Sequence, residues 1–168
     1  MKRSTILFLV LLFAVAGVRA QNGNNNGQTK NKQSVSNYMK AAEAGDAEAM
    51  RDLGICYAYG EGVGQSYAEA VKWFRKAADL GDAAAMFSLG VCYAYGEGVA
   101  RSDAEAAKWW RKAADLGDAG AMYNLGTCYE NGRGVQKSPD KAVEWYQKAA
   151  RLGNDDAKRI LDAHGIGH

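Results

Sequence analysis

From Ala41 to Lys148 the chain writes one 36-residue unit three times, and a fourth, shortened copy follows it. The anchors recur at that spacing: Gly45, Gly81, Gly117 and Gly153; Leu53, Leu89, Leu125 and Leu161; Cys56, Cys92 and Cys128; Trp73, Trp109 and Trp145. A period of about 20 to 50 residues marks one supersecondary element stacked on copies of itself. The chain is therefore expected to be a short solenoid, in which each unit buries its apolar face against its neighbours. One elongated domain follows, running from Ser34 to His168.

Each unit reads as a helix hairpin. In the middle copy Gly81 closes the preceding helix in a left-handed conformation, and Asp82 accepts from the free amides of the next. The fourth copy has Gly153-Asn154 in the same place. A first helix then runs from about Ala83 to Tyr93, with Ala85, Leu89, Cys92 and Tyr93 on one face. Tyr95-Gly96-Glu97-Gly98-Val99 breaks it with two glycines, and Ser102 with Glu105 three places on predicts a capping box at the second helix, as do Ser66 and Glu69. Ser138 is followed by Pro139, which suits a first helical position. The second helix carries Ala106, Trp109 and Ala113 inward, so the repeated tryptophans are expected in the core.

Gly54, Gly90 and Gly126 fall inside first helices, where each costs about 0.8 to 1 kcal/mol relative to alanine. The same penalty in three copies predicts a shared packing reason, namely close approach of a neighbouring helix backbone. No strand pattern occurs anywhere, and the fold class expected is all-α, with seven or eight helices.

The flanks have other jobs. Residues 1–20 combine Lys2 and Arg3, an apolar run from Ile6 to Val15, and the small pair Val18 and Ala20, which reads as a signal peptide cleaved after Ala20. The run is too short to span a bilayer comfortably, so no membrane insertion is expected after cleavage, and the mature chain is expected to be exported, periplasmic or secreted. Removing Lys2, Arg3 and Arg19 leaves 18 basic against 19 acidic residues, a formal charge of −1. A near-neutral chain without a basic block gives no reason to expect nucleic acid as partner. Residues 21–33 are dense in Asn and Gly and hold no large apolar side chain, so a disordered leader is expected. Residues 34–40 read as a capping half-helix, 41–76, 77–112 and 113–148 as the three repeats, and 149–168 as a C-terminal half-repeat and tail.

The unit A-x-x-x-L-G-x-x-Y-x-x-G-x-G-V, then about seven residues, then A-x-x-W and A-A-x-x-G, resembles the Sel1-like repeat (SLR), a relative of the tetratricopeptide repeat. Here it reads AAAMFSLGVCYAYGEGV followed by AAKWWRKAADLG. The resemblance implies a right-handed superhelical solenoid of helix pairs that acts as an adaptor or scaffold for other proteins, with no reaction implied. The cysteine-rich exported members of that family bridge two cysteines within each repeat, whereas this chain has one per repeat. Successive first helices should lie roughly 9 to 10 Å apart, too far for a disulfide between neighbours. Cys56, Cys92 and Cys128 are therefore either buried reduced thiols or, the count being odd, a source of bridges between chains.

Apparent catalytic motifs dissolve into repeat positions. Ser138 to Lys141 matches S-x-x-K, a pattern of penicillin-recognising enzymes, but Ser66 and Ser102 hold the same place without the lysine, and no S-D-N or K-T-G element is present. Gly60-Glu61-Gly62 recurs as the hairpin turn, without the strand or G-K-[ST] of a phosphate loop. His164 and His168 read as an exposed tail, with a metal pair as the alternative. No catalytic group, metal site or cofactor is expected.

Function is sought instead where the copies disagree. On the first helices the positions that vary are Glu48/Ala84/Gly120, Arg51/Phe87/Tyr123, Asp52/Ser88/Asn124, Ile55/Val91/Thr127 and Tyr59/Tyr95/Asn131. They form one stripe opposite the expected buried face. First helices typically line the concave surface of stacked hairpins, which suits a bound peptide or protein segment. Phe87 and Tyr123 are the expected aromatic anchors, Arg51 the partner for a carboxylate, and Asn124 a donor to a ligand backbone. The plain alternative is a solvated helix face. The function expected is an exported protein-interaction module, with a β-lactam-binding protein or a self-associating envelope structural protein as alternatives.

Overall fold

The computed structural model describes residues 25–167, with side chains from Lys32 onward. The expected signal peptide, residues 21–24 of the leader and His168 lie outside the described residues. The chain order is α1 (Asn25–Glu43), α2 (Ala47–Tyr59), α3 (Tyr67–Asp79), α4 (Ala83–Tyr95), α5 (Asp103–Asp115), α6 (Ala119–Asn131), α7 (Pro139–Arg151) and α8 (Asp155–Ala163). Among the described residues there are eight helices and no strand. Helices α2/α3, α4/α5 and α6/α7 are the three hairpins, and each packs against the next along the chain. Single helices cover the two ends. The hairpins begin six residues after the sequence boundaries, at Ala47, Ala83 and Ala119.

One expectation is corrected at the N-terminus. The segment expected to be a disordered leader is helical from Asn25, and α1 runs unbroken from there into the packed segment. Val35 and Ala42 anchor its second half in the core. Once that part is held, each upstream residue adds a backbone hydrogen bond without a new nucleation cost, and no proline interrupts it.

Every hairpin end follows the predicted chemistry. Asp46, Asp82, Asp118 and Asn154 accept from the amides of Ala49, Ala85, Ala121 and Ala157 at 3.1, 2.7, 2.6 and 2.8 Å. Each such cap is worth about 1 kcal/mol. Helix α3 closes in a Schellman motif: the Asp82 amide donates to Ala77 O at 3.1 Å and the Gly81 amide to Ala78 O at 3.0 Å.

The capping boxes form only halfway. Ser66 and Ser102 accept from the Glu69 and Glu105 amides at 3.3 and 3.2 Å. The two glutamates turn away to Lys72 and Lys108, both at 2.6 Å. The serine amides that they would have satisfied donate instead to Tyr57 O and Tyr93 O, at 2.8 and 2.9 Å, which staples the start of each second helix to its first.

The core is a ladder of Leu53, Leu89 and Leu125, all fully buried, continued by Leu161. The aromatic rung is shifted by one residue from expectation. Trp73 and Trp109 are only partly buried, and lysines Lys76 and Lys112 stand over their rings at 4.0 and 4.2 Å. Trp145 is buried, with Lys148 4.1 Å from its centroid. The residue that enters the hairpin is the next one, Phe74, Trp110 or Tyr146.

The glycine expectation changes with it. A Cβ at Gly54, Gly90 or Gly126 would lie under 3.0 Å from the ring of Phe74, Trp110 or Tyr146 respectively. The close approach in first helices is thus an aromatic ring seated on a bare Cα, not a neighbouring backbone. Backbone approach does occur, at Gly98 and Gly134 in the turns. There a Cβ would strike the carbonyls of Tyr67 and Asp103, at the start of the second helix one repeat earlier.

Cys56, Cys92 and Cys128 are all buried and unbridged. Burial pushes their thiols up to about 11, 12 and 11, which keeps them protonated and unreactive. None of the three reaches the surface to bridge two chains.

Candidate functional site

The variable stripe is an interior seam for much of its length, and this corrects part of the expected site. Phe87, Ser88 and Val91 are 4%, 3% and 1% exposed. Helix α4 is the middle first helix, so its stripe is covered from both sides; a Cβ at Gly120 of α6 would already stand 3.2 Å from Phe87 Cε2. Ser88 turns its hydroxyl back to Ala84 O at 2.9 Å. Phe87 is therefore a packing residue and not an open anchor.

Arg51 is also committed. Its Nη1 donates to Asp82 Oδ2 at 3.1 Å, and Nη2 donates to Glu48 and Asp52 at 3.0 and 3.1 Å. A guanidinium shared by three carboxylates clamps α2 to the start of α4 and is not vacant for a ligand carboxylate. Burial still raises the Asp52 carboxyl above its ordinary range, outweighing the adjacent Arg51. Ile55 and Tyr59 are half-buried against the core.

Farther along, the stripe opens. Val91 and Tyr95 of α4 and Tyr123, Asn124 and Thr127 of α6 line a cleft of about 370 Å³. Thr127 Oγ1 donates to Tyr123 O at 3.2 Å, and the Tyr123 ring packs on Tyr146 with centroids 5.7 Å apart. Asn124 is half-buried and makes no hydrogen bond among the described residues, so its amide is available to a ligand. The stripe alone did not include Asp103, Trp110, Arg133 or Asp156, which complete the wall. Arg133 donates to Asp103 at 3.2 Å across the repeat boundary, and its guanidinium holds the Asp103 carboxyl below the usual range. The Trp110 Nε1 is buried without a partner. In the next repeat the equivalent Tyr146 donates its hydroxyl to Glu130 at 2.9 Å, with Thr127 at 3.2 Å; in α4 those places are Ala94 and Val91, which accept nothing.

The serine and lysine of the S-x-x-K match do not face each other. Ser138 Oγ accepts from the Lys141 amide at 3.4 Å as a helix cap, and Lys141 Nζ lies 5.4 Å from the Tyr129 ring centroid. The arrangement offers no base to a nucleophile.

Glu97, in the turn after α4, has a buried carboxylate oxygen without a partner. Burial alone lifts its carboxyl from 4.5 to about 7, and its charge raises the pKa of the neighbouring Tyr59, Tyr67 and Cys92. The folded chain therefore holds this proton more tightly than the unfolded chain. Its contribution to stability is complete below about pH 4.5 and is lost as pH rises through about 7. Glu97→Gln is expected to be more stable than the parent at pH 8, by about 1 kcal/mol once solvent access to the side chain is discounted, and equal to it at pH 4. Thermal melts at the two pH values check this; a gain of the same size at both would place its cause outside this ionisation.

The Sel1 repeat model matches residues 47–82, 83–118 and 119–154, the three hairpins with their closing turns. Among solved structures, a Sel1 repeat protein from Oxalobacter formigenes is 38% identical, with a TM-score of 0.72, and the match covers 78% of this chain and 98% of that one. The protective antigen c5321 of uropathogenic Escherichia coli, described as displaying an SLR fold, is 33% identical with a TM-score of 0.76; the match covers 98% of this chain and 34% of c5321. Cysteine rich protein B of Helicobacter pylori is 27% identical with a TM-score of 0.66, covering 83% of this chain and all of that one. Among curated proteins no match was found.

Proposed function

The chain belongs to the Sel1 repeat family, and from that premise we propose that it is an exported adaptor or scaffold which holds a peptide or protein segment across its first helices. Proteins of this repeat class are generally protein-interaction modules. The observation that carries the reading here is the cleft between α4 and α6, where half-buried Tyr95, Tyr123, Asn124 and Thr127 meet around about 370 Å³. Such a site combines aromatic surface with a few polar groups, which gives a bound segment both energy and orientation. Export rests on the N-terminal basic, apolar and small-residue pattern.

The experiment is affinity capture with the mature chain, followed by direct binding of the captured partner to an Asn124→Arg variant. The longer side chain would fill the cleft without entering the core. Binding is expected to be lost while far-UV helicity and the melting temperature stay as in the parent. Undiminished binding would move the site away from this cleft.

A further inference from the structure

The repeats supply their own comparison for a second, smaller pocket beside the cleft. It encloses about 260 Å³ and is walled by Phe87, Asp118, Tyr123, Asn124, Leu152 and Asp156. Position by position, Arg51 becomes Phe87 and Asp82 becomes Asp118 one repeat later. At the first junction the aspartate does two things at once: Asp82 Oδ1 caps α4 through the Ala85 amide at 2.7 Å, and Oδ2 accepts from Arg51 at 3.1 Å. At the second junction Asp118 keeps the cap, on the Ala121 amide at 2.6 Å, but no cation pairs with it among the described residues. Burial raises the Asp118 carboxyl, and only backbone amides oppose that effect.

The pocket's own side chains therefore leave one charge unanswered. Its lining contains two carboxylates, two aromatic rings and the exposed Leu152, and no lysine or arginine. Asp156 is bonded to Arg159 on its own helix and remains half exposed toward solvent. Gly120 replaces Glu48 of the first repeat and keeps the approach to Asp118 open; a Cβ there would stand 3.3 Å from Asp118 Oδ1. The adjoining cleft shares Tyr123, Asn124 and Asp156 with the pocket, so one extended ligand can occupy both. A carboxylate with no cation opposite it, in a pocket that has no lysine or arginine of its own, calls for a ligand that brings the cation.

We propose that the occupant is an extended peptide whose arginine side chain enters the pocket and pairs with Asp118, taking the place that Arg51 fills within the chain at Asp82. The Tyr123 ring flanks the guanidinium, Asp156 adds a second negative charge at the mouth, and backbone carbonyls of the same peptide lie along the cleft. The inference rests on the interaction reading above and specifies its ligand chemistry.

The test uses the mature chain and short fluorescent peptides that differ only at a central arginine, lysine, citrulline or glutamate, read by polarisation at low and moderate salt. The arginine peptide is expected to bind best, lysine more weakly, and citrulline and glutamate about tenfold or more below arginine. Asp118→Asn is the decisive variant, because Asn154 caps α8 in the same place by accepting from Ala157 at 2.8 Å, so the fold is retained. It is expected to erase the preference for arginine over citrulline. Equal behaviour of the arginine and citrulline peptides, whether both bind or neither does, overturns the cation pocket. A captured partner that still loses affinity on Asn124→Arg would then leave the interaction reading standing without it.

Discussion

Gly90→Ala is expected to destabilise the chain by about 1 to 3 kcal/mol although alanine is the better helix former. Helix propensity alone favours the substitution by about 0.8 to 1 kcal/mol. Against it, the new methyl would sit under 3.0 Å from Cδ1, Nε1 and Cε2 of Trp110. That indole is 8% exposed and packed in the core, so moving it off Gly90 breaks its other contacts. Forcing one extra carbon into such a site costs about 1 to 3 kcal/mol and sometimes more, which outweighs the gain. Gly90→Leu adds three further carbons and is expected to abolish cooperative unfolding.

The cause is isolated by a double-mutant cycle in urea. Trp110→Ala alone should cost about 3 to 5 kcal/mol through the cavity it leaves. Once the ring is gone, Gly90→Ala should cost nothing further or become stabilising, a strong non-additivity between two residues in contact. Additive costs would mean that the ring is not what Gly90 accommodates. Gly117→Ala is the control: its φ is +92°, but nothing lies within 4 Å of the added atom, so only the backbone cost of about 1 to 2 kcal/mol applies.

That pair also shows where the sequence was readable and where it was not. The 36-residue spacing determined the hairpins, and Gly, Asp and Ser marked nearly every helix end, because caps are local chemistry. Whether Trp109 or Trp110 enters the core is not local. Two adjacent aromatics at helical pitch point about 100° apart, and the bare Cα of Gly90 on the partner helix decides between them. The same limit governs the site. Comparing copies picked out Tyr95, Tyr123, Asn124 and Thr127, which line the cleft, yet Phe87 and Ser88 on the same stripe are buried in the junction between repeats. A variable position can change because a ligand meets it or because each junction packs differently, and one chain's periodicity does not separate the two. Arg133 and Asp103 were legible in principle, since they stand where the other copies have glutamates and Tyr67 or Pro139, but the comparison has to include the turns.

Those turns carry the second large effect. Gly134→Ala is expected to cost about 3 kcal/mol or more and to separate the third repeat from the second. Its φ is +69°, which penalises any side chain by about 1 to 2 kcal/mol. The larger obstacle is that the new atom would overlap the carbonyl of Asp103 and approach the Ala104 amide under 3.0 Å. A side chain can rotate out of a clash, but these are backbone atoms at the first turn of α5, fixed by the Ser102 cap on the Glu105 amide at 3.2 Å. The turn must lift away, and the 3.2 Å bond from Arg133 to Asp103 goes with it.

In a stack whose units touch only their neighbours, such a break is local: α6 to α8 should lose protection while α2 to α5 keep theirs. Native-state hydrogen exchange on Gly134→Ala reads that pattern directly. Gly132→Ala has nearly the same φ, +70°, but its nearest neighbour is Lys137 Cβ at 3.2 Å, with no backbone atom closer than 3.6 Å, so it should be milder and leave the junction closed. Because the cleft is walled by α4 on one side and α6 on the other, Gly134→Ala should also abolish peptide binding from a position that touches no ligand, and Gly132→Ala should not. Uniform exchange across all three repeats in Gly134→Ala would show that the turn does not lock them together.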